Sequence, residues 1–310
     1  MIATITLNPS IDIKYVVDHF EKNGIFRAKE VEKTAGGKGL NVSKIIKILG
    51  EPVTALGLIG GKNGEFIEEE IEKIGIENYF TKIEGNTRNC IAILSNDNSQ
   101  TEILENGPVV SQKGLSHFYE KYDEILERAT IICGSGSLSQ NIEDNIYKEL
   151  IDKAKEKGVM FLLDTSGMPL KYGIEAAPFL IKPNKEELAF LTGRALETES
   201  DIIYAIRDLM KSRVQVIVVS LGSEGAVAAY KETLYRVKIP KIKTVNPVGS
   251  GDAMIGGFAV ALNKGYNIED MLIYGTACGI SNAKQTKTGI IDTDDVKKFA
   301  NQIIIEELSI

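Results

Sequence analysis

Two stretches combine residue types that could handle an anion and a proton together. At 246–252 the chain reads NPVGSGD, and the apolar run AMIGGFAVAL follows directly. Glycine lets a backbone or a ligand approach closely, and the first turn of a helix presents unpaired N–H groups, so this helix mouth suits an anion. Asp252 is then a carboxylate beside a bound negative charge, a costly neighbour unless it has its own task. Taking a proton is such a task. In that reading Gly249, Ser250 and Gly251 cradle a group in transit while Asp252 deprotonates the attacking hydroxyl, a role typically worth ~10²–10⁴ in rate. The same residues also read as a glycine-rich helix cap with a first-turn acid, worth about 0.5–1 kcal/mol.

AGGKGLN at 35–41 is the second stretch, two glycines and Lys38 opening an amphipathic helix. A glycine turn, a helix N-terminus and a fixed cation make an anion site; the plain alternative is a tight strand-to-helix turn with a solvated lysine. Neither familiar nucleotide signature is present. Leu40 and Asn41 stand in the wrong places for a Walker loop, and Ser139 and Met254 occupy the third-glycine positions of the dinucleotide fingerprint, which weakens an oxidoreductase reading. In KPNKEEL at 182–188, Asn184 and Glu187 have the spacing of a capping pair, and the same acid could hold Mg²⁺ near phosphates. In VSLGSEGA at 219–226, Ser220, Gly222 and Gly225 sit at a strand end, suited to a nucleotide pocket or to a simple hairpin turn.

These turns need a frame, and the frame is legible. Near-continuous apolar runs such as VTALGLIG, ATIIC, VMFLLD, FLIK and VQVIVVS alternate with helical patterns such as LNVSKIIKILG and NIYKELIDKAKEKG. Runs without alternation suit strands covered on both faces, which predicts a doubly wound, mostly parallel α/β sheet with helices on both faces. Residues 11–35 and 86–107 break the rhythm as polar, extended segments, the second with NDNS at 96–99 as a hairpin turn. They predict a small separate sheet acting as a lid on one domain spanning 1–310.

Composition narrows the partners. The 310 residues carry a formal net charge of −7, with 25% charged and 43% apolar residues. That argues against nucleic acid as a partner and for a small molecule. No stretch approaches a membrane span, and MIATITLNPS resembles no signal segment, so a cytoplasmic protein without a membrane partner is expected. Cys90, Cys133 and Cys278, with only His19 and His117, do not fit a zinc site; any metal should be a hard cation held by oxygens.

The turns AGGKGLN, GSGSLS at 134–139, KPNKEEL, VSLGSEG and NPVGSGDA together resemble the PfkB, or ribokinase-like, family of carbohydrate kinases over essentially the whole chain. TLNPSID, TRNC and TEILE carry a narrower likeness to tagatose-6-phosphate kinase, with 1-phosphofructokinase near by. The resemblance implies a ribokinase-like fold, ATP as donor, Mg²⁺, a ketose phosphate as acceptor and a place in galactose or lactose breakdown. It assigns Asp252 as base and Gly249, Ser250 and Gly251 as the anion hole. Asp12, Gly36, Gly37, Lys38, Asn41, Asn89 and Ser137 hold the sugar, with Arg88 at its phosphate. Lys182, Asn184, Ser220, Gly222, Gly225 and Asn282 line the nucleotide site, and Glu187 serves the metal. Where the family usually has proline after GSL this chain has Ser139, a change expected to loosen that loop. The residues do not choose among tagatose 6-phosphate, fructose 6-phosphate and fructose 1-phosphate, which differ in one stereocentre or in phosphate position. A non-catalytic sensor of sugar phosphate or nucleotide is the rival from another class, but binding alone gives Asp252 no task. Exposed lid strands pair readily with a second copy, so a homodimer is expected.

Overall fold

Apolar runs fix the middle of the molecule. A computed structural model of the chain describes residues 1–97 and 99–308. The chain opens with β1 (Ile2–Thr6), a short link, β2 (Ser10–Val17), β3 (Glu30–Gly36) and helix α1 (Lys38–Ile48). Next come β4 (Val53–Ile59), α2 (Gly61–Lys73), the two-residue strands β5 (Glu77–Asn78) and β6 (Thr81–Lys82), then β7 (Arg88–Ser95), β8 (Gln100–Leu104) and α3 (Gln112–Leu126). The alternation resumes with β9 (Ile131–Ser135), α4 (Ile146–Glu156), β10 (Met160–Asp164), α5 (Gly167–Glu175), β11 (Leu180–Ile181) and α6 (Lys185–Thr192). After α7 (Glu199–Met210) come β12 (Val216–Ser220), β13 (Ala226–Tyr230) and β14 (Thr233–Lys238). The rest is α8 (Ser250–Asn263), α9 (Ile268–Ala283), α10 (Thr293–Ala300) and β15 (Ile304–Leu308).

The large sheet runs β15-β14-β13-β12-β11-β10-β9-β1-β4-β5, with β6 also on β4. From β5 to β12 neighbouring strands are parallel; the ribbon β13, β14 and β15 is antiparallel. Every residue of β1, β4 and β9 is buried, as strands with helices on both faces require. The expected doubly wound, mostly parallel fold is therefore present. Strands β14 and β15 of the antiparallel edge have no counterpart in the sequence reading, because they are partly exposed and carry no continuous apolar run.

The two segments that break the βα rhythm form a second sheet, ordered β3-β2-β7-β8. β2 and β7 pair in parallel from Ser10 opposite Arg88 to Val17 opposite Ser95, with antiparallel strands flanking them. At the β7–β8 turn the Ser95 N–H donates to Ser99 O at 3.0 Å. Asn98 of the expected NDNS turn lies outside the described residues.

Helix α8 is buried without interruption from Asp252 to Ala261, so it is apolar on every side, as a central helix must be. Gly256 and Gly257 let its neighbours close in. A methyl group at 256 would lie 2.7 Å from Ile45 of α1, and one at 257 would lie 2.7 Å from the Gly275 backbone of α9. Among the described residues no helix is long and apolar enough to cross a membrane.

Candidate active site

Strands of the large sheet end in polar residues: Thr6 on β1, Ser135 on β9, Asp164 on β10 and Ser220 on β12. In a parallel sheet those carboxyl ends share one rim, where ligands collect. Helix α8 starts there. Its N-cap Gly249 has φ 82°, a left-handed conformation that glycine adopts freely, and a side chain at 249 would overlap Thr288. The turn before α1 is built alike: Gly37 has φ 112°, and a side chain there would press on Thr6 and Pro9.

Four chain segments meet at this rim. Asn41 Nδ2 donates to Asp252 Oδ2 at 2.9 Å, joining α1 to α8. Lys182, just past β11, lies with its ammonium against Gly251, where a methyl group would come within 2.9 Å of Nζ. Asp164 lies between the two lysines, with Lys182 Nζ at 3.3 Å and Lys38 Nζ at 3.7 Å. Its carboxylate is nearly inaccessible, as is Lys182, whereas Lys38 keeps 43% of its side chain exposed.

The electrostatics follow from this packing. Burial is the main force raising the Asp252 carboxyl, to a pKa of about 6, and the Asp164 charge adds to it against the pull of Lys38, the Asn41 bond and Lys182. Such a carboxylate is ionised at neutral pH yet basic enough to accept a proton. Asp164 itself is held below its usual value: burial works to raise it, but Lys182 and Lys38 together outweigh burial. Lys38 is held above the usual lysine range, chiefly by Asp164 and against burial, with Asp252 and Glu187 adding to the effect. Lys44, one turn beyond Asn41, donates to Ala35 O at 2.5 Å, and burial pulls its ammonium down.

A second cluster is built on the small sheet. Asp12 takes the Ser10 hydroxyl at 2.7 Å, and any side chain at Gly36 would overlap it. Burial raises the Asp12 carboxyl, offset by the Ser10 bond and the charges of Lys44 and Arg88. Arg88 directs its guanidinium at main-chain oxygens, donating from Nε and Nη2 to Asn8 O, each at 3.3 Å, and from Nη1 to Glu105 O at 3.2 Å. Asn89 is engaged with Glu105 and Asn63. A cavity of about 400 Å³ opens beside Arg88, between residues 84–88 and the loop 105–109. Neither Lys38 nor Asp252 lines it, so it flanks Arg88 and not the Asp252 carboxylate.

The remaining expected residues divide into two groups. Asn184 and Glu187 form a complete capping box on α6: the Glu187 N–H donates to Asn184 Oδ1 at 2.8 Å, and the Asn184 N–H donates to Glu187 Oε2 at 2.9 Å. Glu187 Oε1 has no partner among the described residues, and the Glu187 charge is felt by Lys38, so capping and service to a cation are compatible. Ser220 adjoins this helix head, its N–H donating to Pro183 O at 3.0 Å. Gly222 and Gly225 lie in the tight turn joining antiparallel β12 and β13, the plainer of the two readings of that stretch, and a side chain at 225 would overlap Val237 O. Asn282 is fully buried, donating to Val248 O at 2.9 Å and accepting from the Gly289 N–H at 3.1 Å. It braces the 248–251 turn from behind.

The sequence pattern of pfkB family carbohydrate kinases matches residues 5–294. The chain belongs to that family. Among solved structures, phosphofructokinase-2 of Escherichia coli in complex with potassium has a TM-score of 0.92 at 27% identity, over 97% of this chain and 98% of that one. A possible 1-phosphofructokinase of Thermotoga maritima has a TM-score of 0.92 at 28% identity, over 100% of both chains. Arabidopsis thaliana ribokinase, complexed with ribose and ATP, shares the fold at a TM-score of 0.79 and 23% identity, over 96% of this chain and 98% of that one.

In this pfkB kinase the residue that motif reading missed at the rim is Asp164. Its signal was present, an acid terminating the apolar run VMFLLD where a parallel strand reaches the ligand edge. Asn8 was missed as well. Ser139, expected to loosen its loop, is buried, and its hydroxyl donates to Leu7 O at 2.8 Å, a bond proline cannot make. That bond joins the loop to the residue that follows β1.

Proposed function

We propose that this kinase phosphorylates a ketose phosphate with ATP as donor, tagatose 6-phosphate being the substrate to which the likeness of TLNPSID, TRNC and TEILE points and fructose 6-phosphate and fructose 1-phosphate the nearest competitors. The observation carrying this reading is Asp252: a buried carboxylate with a pKa of about 6, at the head of a helix whose first amides and a flanking lysine are arranged for an anion. Asp252 takes the proton of the sugar hydroxyl. The freed oxygen attacks the γ-phosphoryl group in line, the bond to ADP breaks, and charge on the moving group is met by the 249–251 amides with Lys38 and Lys182.

Among the described residues no cluster of three or more acidic, histidine or cysteine side chains could cage a metal. That suits Mg²⁺, which is held by one or two carboxylates and the nucleotide while keeping its waters. Glu187, with Oε1 free beyond its capping bond, is the residue that would hold it or its water. When bound, the ion supplies charge neutralisation of the donor phosphates. Asp12, Gly36, Gly37, Asn41 and Ser137 position the sugar, and Arg88, whose planar fork suits phosphate, takes its existing phosphate, with Asn89 beside it. Asn184, Ser220, Gly222 and Gly225 border the nucleotide, and Asn282 supports the turn beneath it. In this reading the small sheet is the lid of one kinase domain, and the enzyme works in the cytoplasm as a homodimer. Val31, Ile103 and Leu104 are exposed large apolar residues on that sheet, a surface for a second copy.

The test is ATP-dependent turnover of the three ketose phosphates side by side, compared as kcat/KM. Preference for tagatose 6-phosphate supports the proposal. Preference for fructose 1-phosphate keeps the mechanism and changes the substrate; ligand binding without turnover of any of them overturns the proposed function in favour of a sensor.

A further inference from the structure

Asn8 lies in the link between β1 and β2, where the chain leaves the centre of the large sheet for the small one. It is buried, yet polar throughout. Its Nδ2 donates to Ser137 Oγ at 3.2 Å and to Leu138 O at 3.1 Å, and its main-chain oxygen takes both Arg88 contacts at 3.3 Å. Ser139 Oγ stands 3.2 Å from Asn8 Oδ1 while donating to Leu7 O. The loop 105–110 presses on the same point: a side chain at Gly107 would overlap Asn8 Oδ1, and Gln140 Nε2 donates to Gly107 O at 2.5 Å.

We infer that Asn8 is a positioning residue that aims Arg88 at the phosphate of the sugar and Ser137 at the sugar itself, an inference that rests on the proposed sugar-phosphate kinase function. Arg88 has no carboxylate partner among the described residues. Three of its five N–H groups are spent on carbonyls, which fix the guanidinium without neutralising it. Two N–H groups, one on each terminal nitrogen, remain as a fork. A fork ordered before substrate arrives loses less side-chain entropy on binding. Only an amide suits the position of Asn8. Two donors meet Ser137 and Leu138, while an acid would set a negative oxygen against the Leu138 carbonyl and an apolar residue would leave buried polar groups unpaired.

The experiment compares Asn8→Ala, Asn8→Asp and the milder Ser139→Ala with the parent enzyme, alone and combined with Arg88→Ala. Loss of one bond network around a charged group predicts a rise of about tenfold in the sugar-phosphate KM for either Asn8 variant, with the ATP KM within about twofold. In the Arg88→Ala background the Asn8→Ala change should add much less than it does alone, because only Ser137 of its two targets is left. Ser139→Ala moves the same constant in the same direction by less. A ligand-free arm stands apart from turnover: Asn8→Ala should speed amide hydrogen exchange in 86–89, 105–110 and 137–141 while leaving the head of α8 unchanged. Multiplying effects with Arg88→Ala, an equal rise in the ATP KM, or unaltered exchange in those three segments each overturns the inference. If the parent enzyme turns over no ketose phosphate, the proposed function falls, and the exchange arm still decides whether Asn8 orders these segments.

Discussion

Replacing Asn41 with leucine, similar in volume but unable to donate, removes the 2.9 Å bond to Asp252 Oδ2. A hydrogen bond to a buried charged acceptor contributes about 1.5–3 kcal/mol. It favours only the ionised form of Asp252, so its loss raises the carboxyl pKa by about 1–2 units at 1.36 kcal/mol per unit. The acid limb of kcat/KM, set by the free enzyme at about 6, then moves to about 7–8. At pH 7 the ionised fraction drops from about nine-tenths to between about a half and a tenth, a loss of roughly two- to tenfold that is regained in alkali. Any direct hold of Asn41 on the sugar lowers the whole curve without sliding it, so the limb isolates the contact with Asp252. Initial rates at subsaturating sugar phosphate, from pH 5 to 9, measure it. An Asn41→Leu enzyme whose limb stays with the parent would refute the assignment of Asp252 as the titrating base.

Asp252→Asn should abolish turnover yet stabilise the fold. Asp252 binds its proton more tightly folded than unfolded, so the native state loses stability as pH rises from about 4 to 6; removing that charge gains up to about 3 kcal/mol at pH 7 and nothing below about pH 4, as thermal melts at both pH values would show. Asp164→Asn strips the buried Lys182 ammonium of its partner and should cost about 3–5 kcal/mol in denaturant melts. It also removes a charge that raises Asp252, so the acid limb of kcat/KM should slide to lower pH. Gly249→Ala forces a side chain into left-handed backbone against Thr288, with a cost of about 1–3 kcal/mol. Its kcat should fall while the sugar-phosphate KM hardly changes; a normal kcat would remove the 249–251 amides from the transfer step.

The parallel centre of the fold was legible because strands covered on both faces must be apolar at every position, as β1, β4 and β9 are. The glycine turns were legible because few other uses put glycine, lysine and aspartate at helix heads. Asp164 was hidden, since a lone acid ending a strand has no spacing partner in the sequence; its meaning comes from lysines 126 positions before it and 18 after it, brought to 3.7 and 3.3 Å by sheet order alone. Asn8 was hidden for the same reason. Its partners at 88 and 137–139 meet it only once β1 stands beside β9 and β2 beside β7. Strands β14 and β15 escaped because partly exposed strands carry a mixed pattern.

The bond between Asn41 and Asp252 joins residues 211 positions apart in sequence. Closing so long a loop is among the late and slow events of folding, because its entropic cost precedes any reward. The parallel pairs β1–β4 and β1–β9 draw on the first 135 residues and can form while the chain is still being made. Asp252 cannot reach the Asn41 amide until α8 has emerged and packed on α1. Recovery of activity during refolding is therefore a clock for the last long-range closure and should lag behind the return of helix and sheet signals.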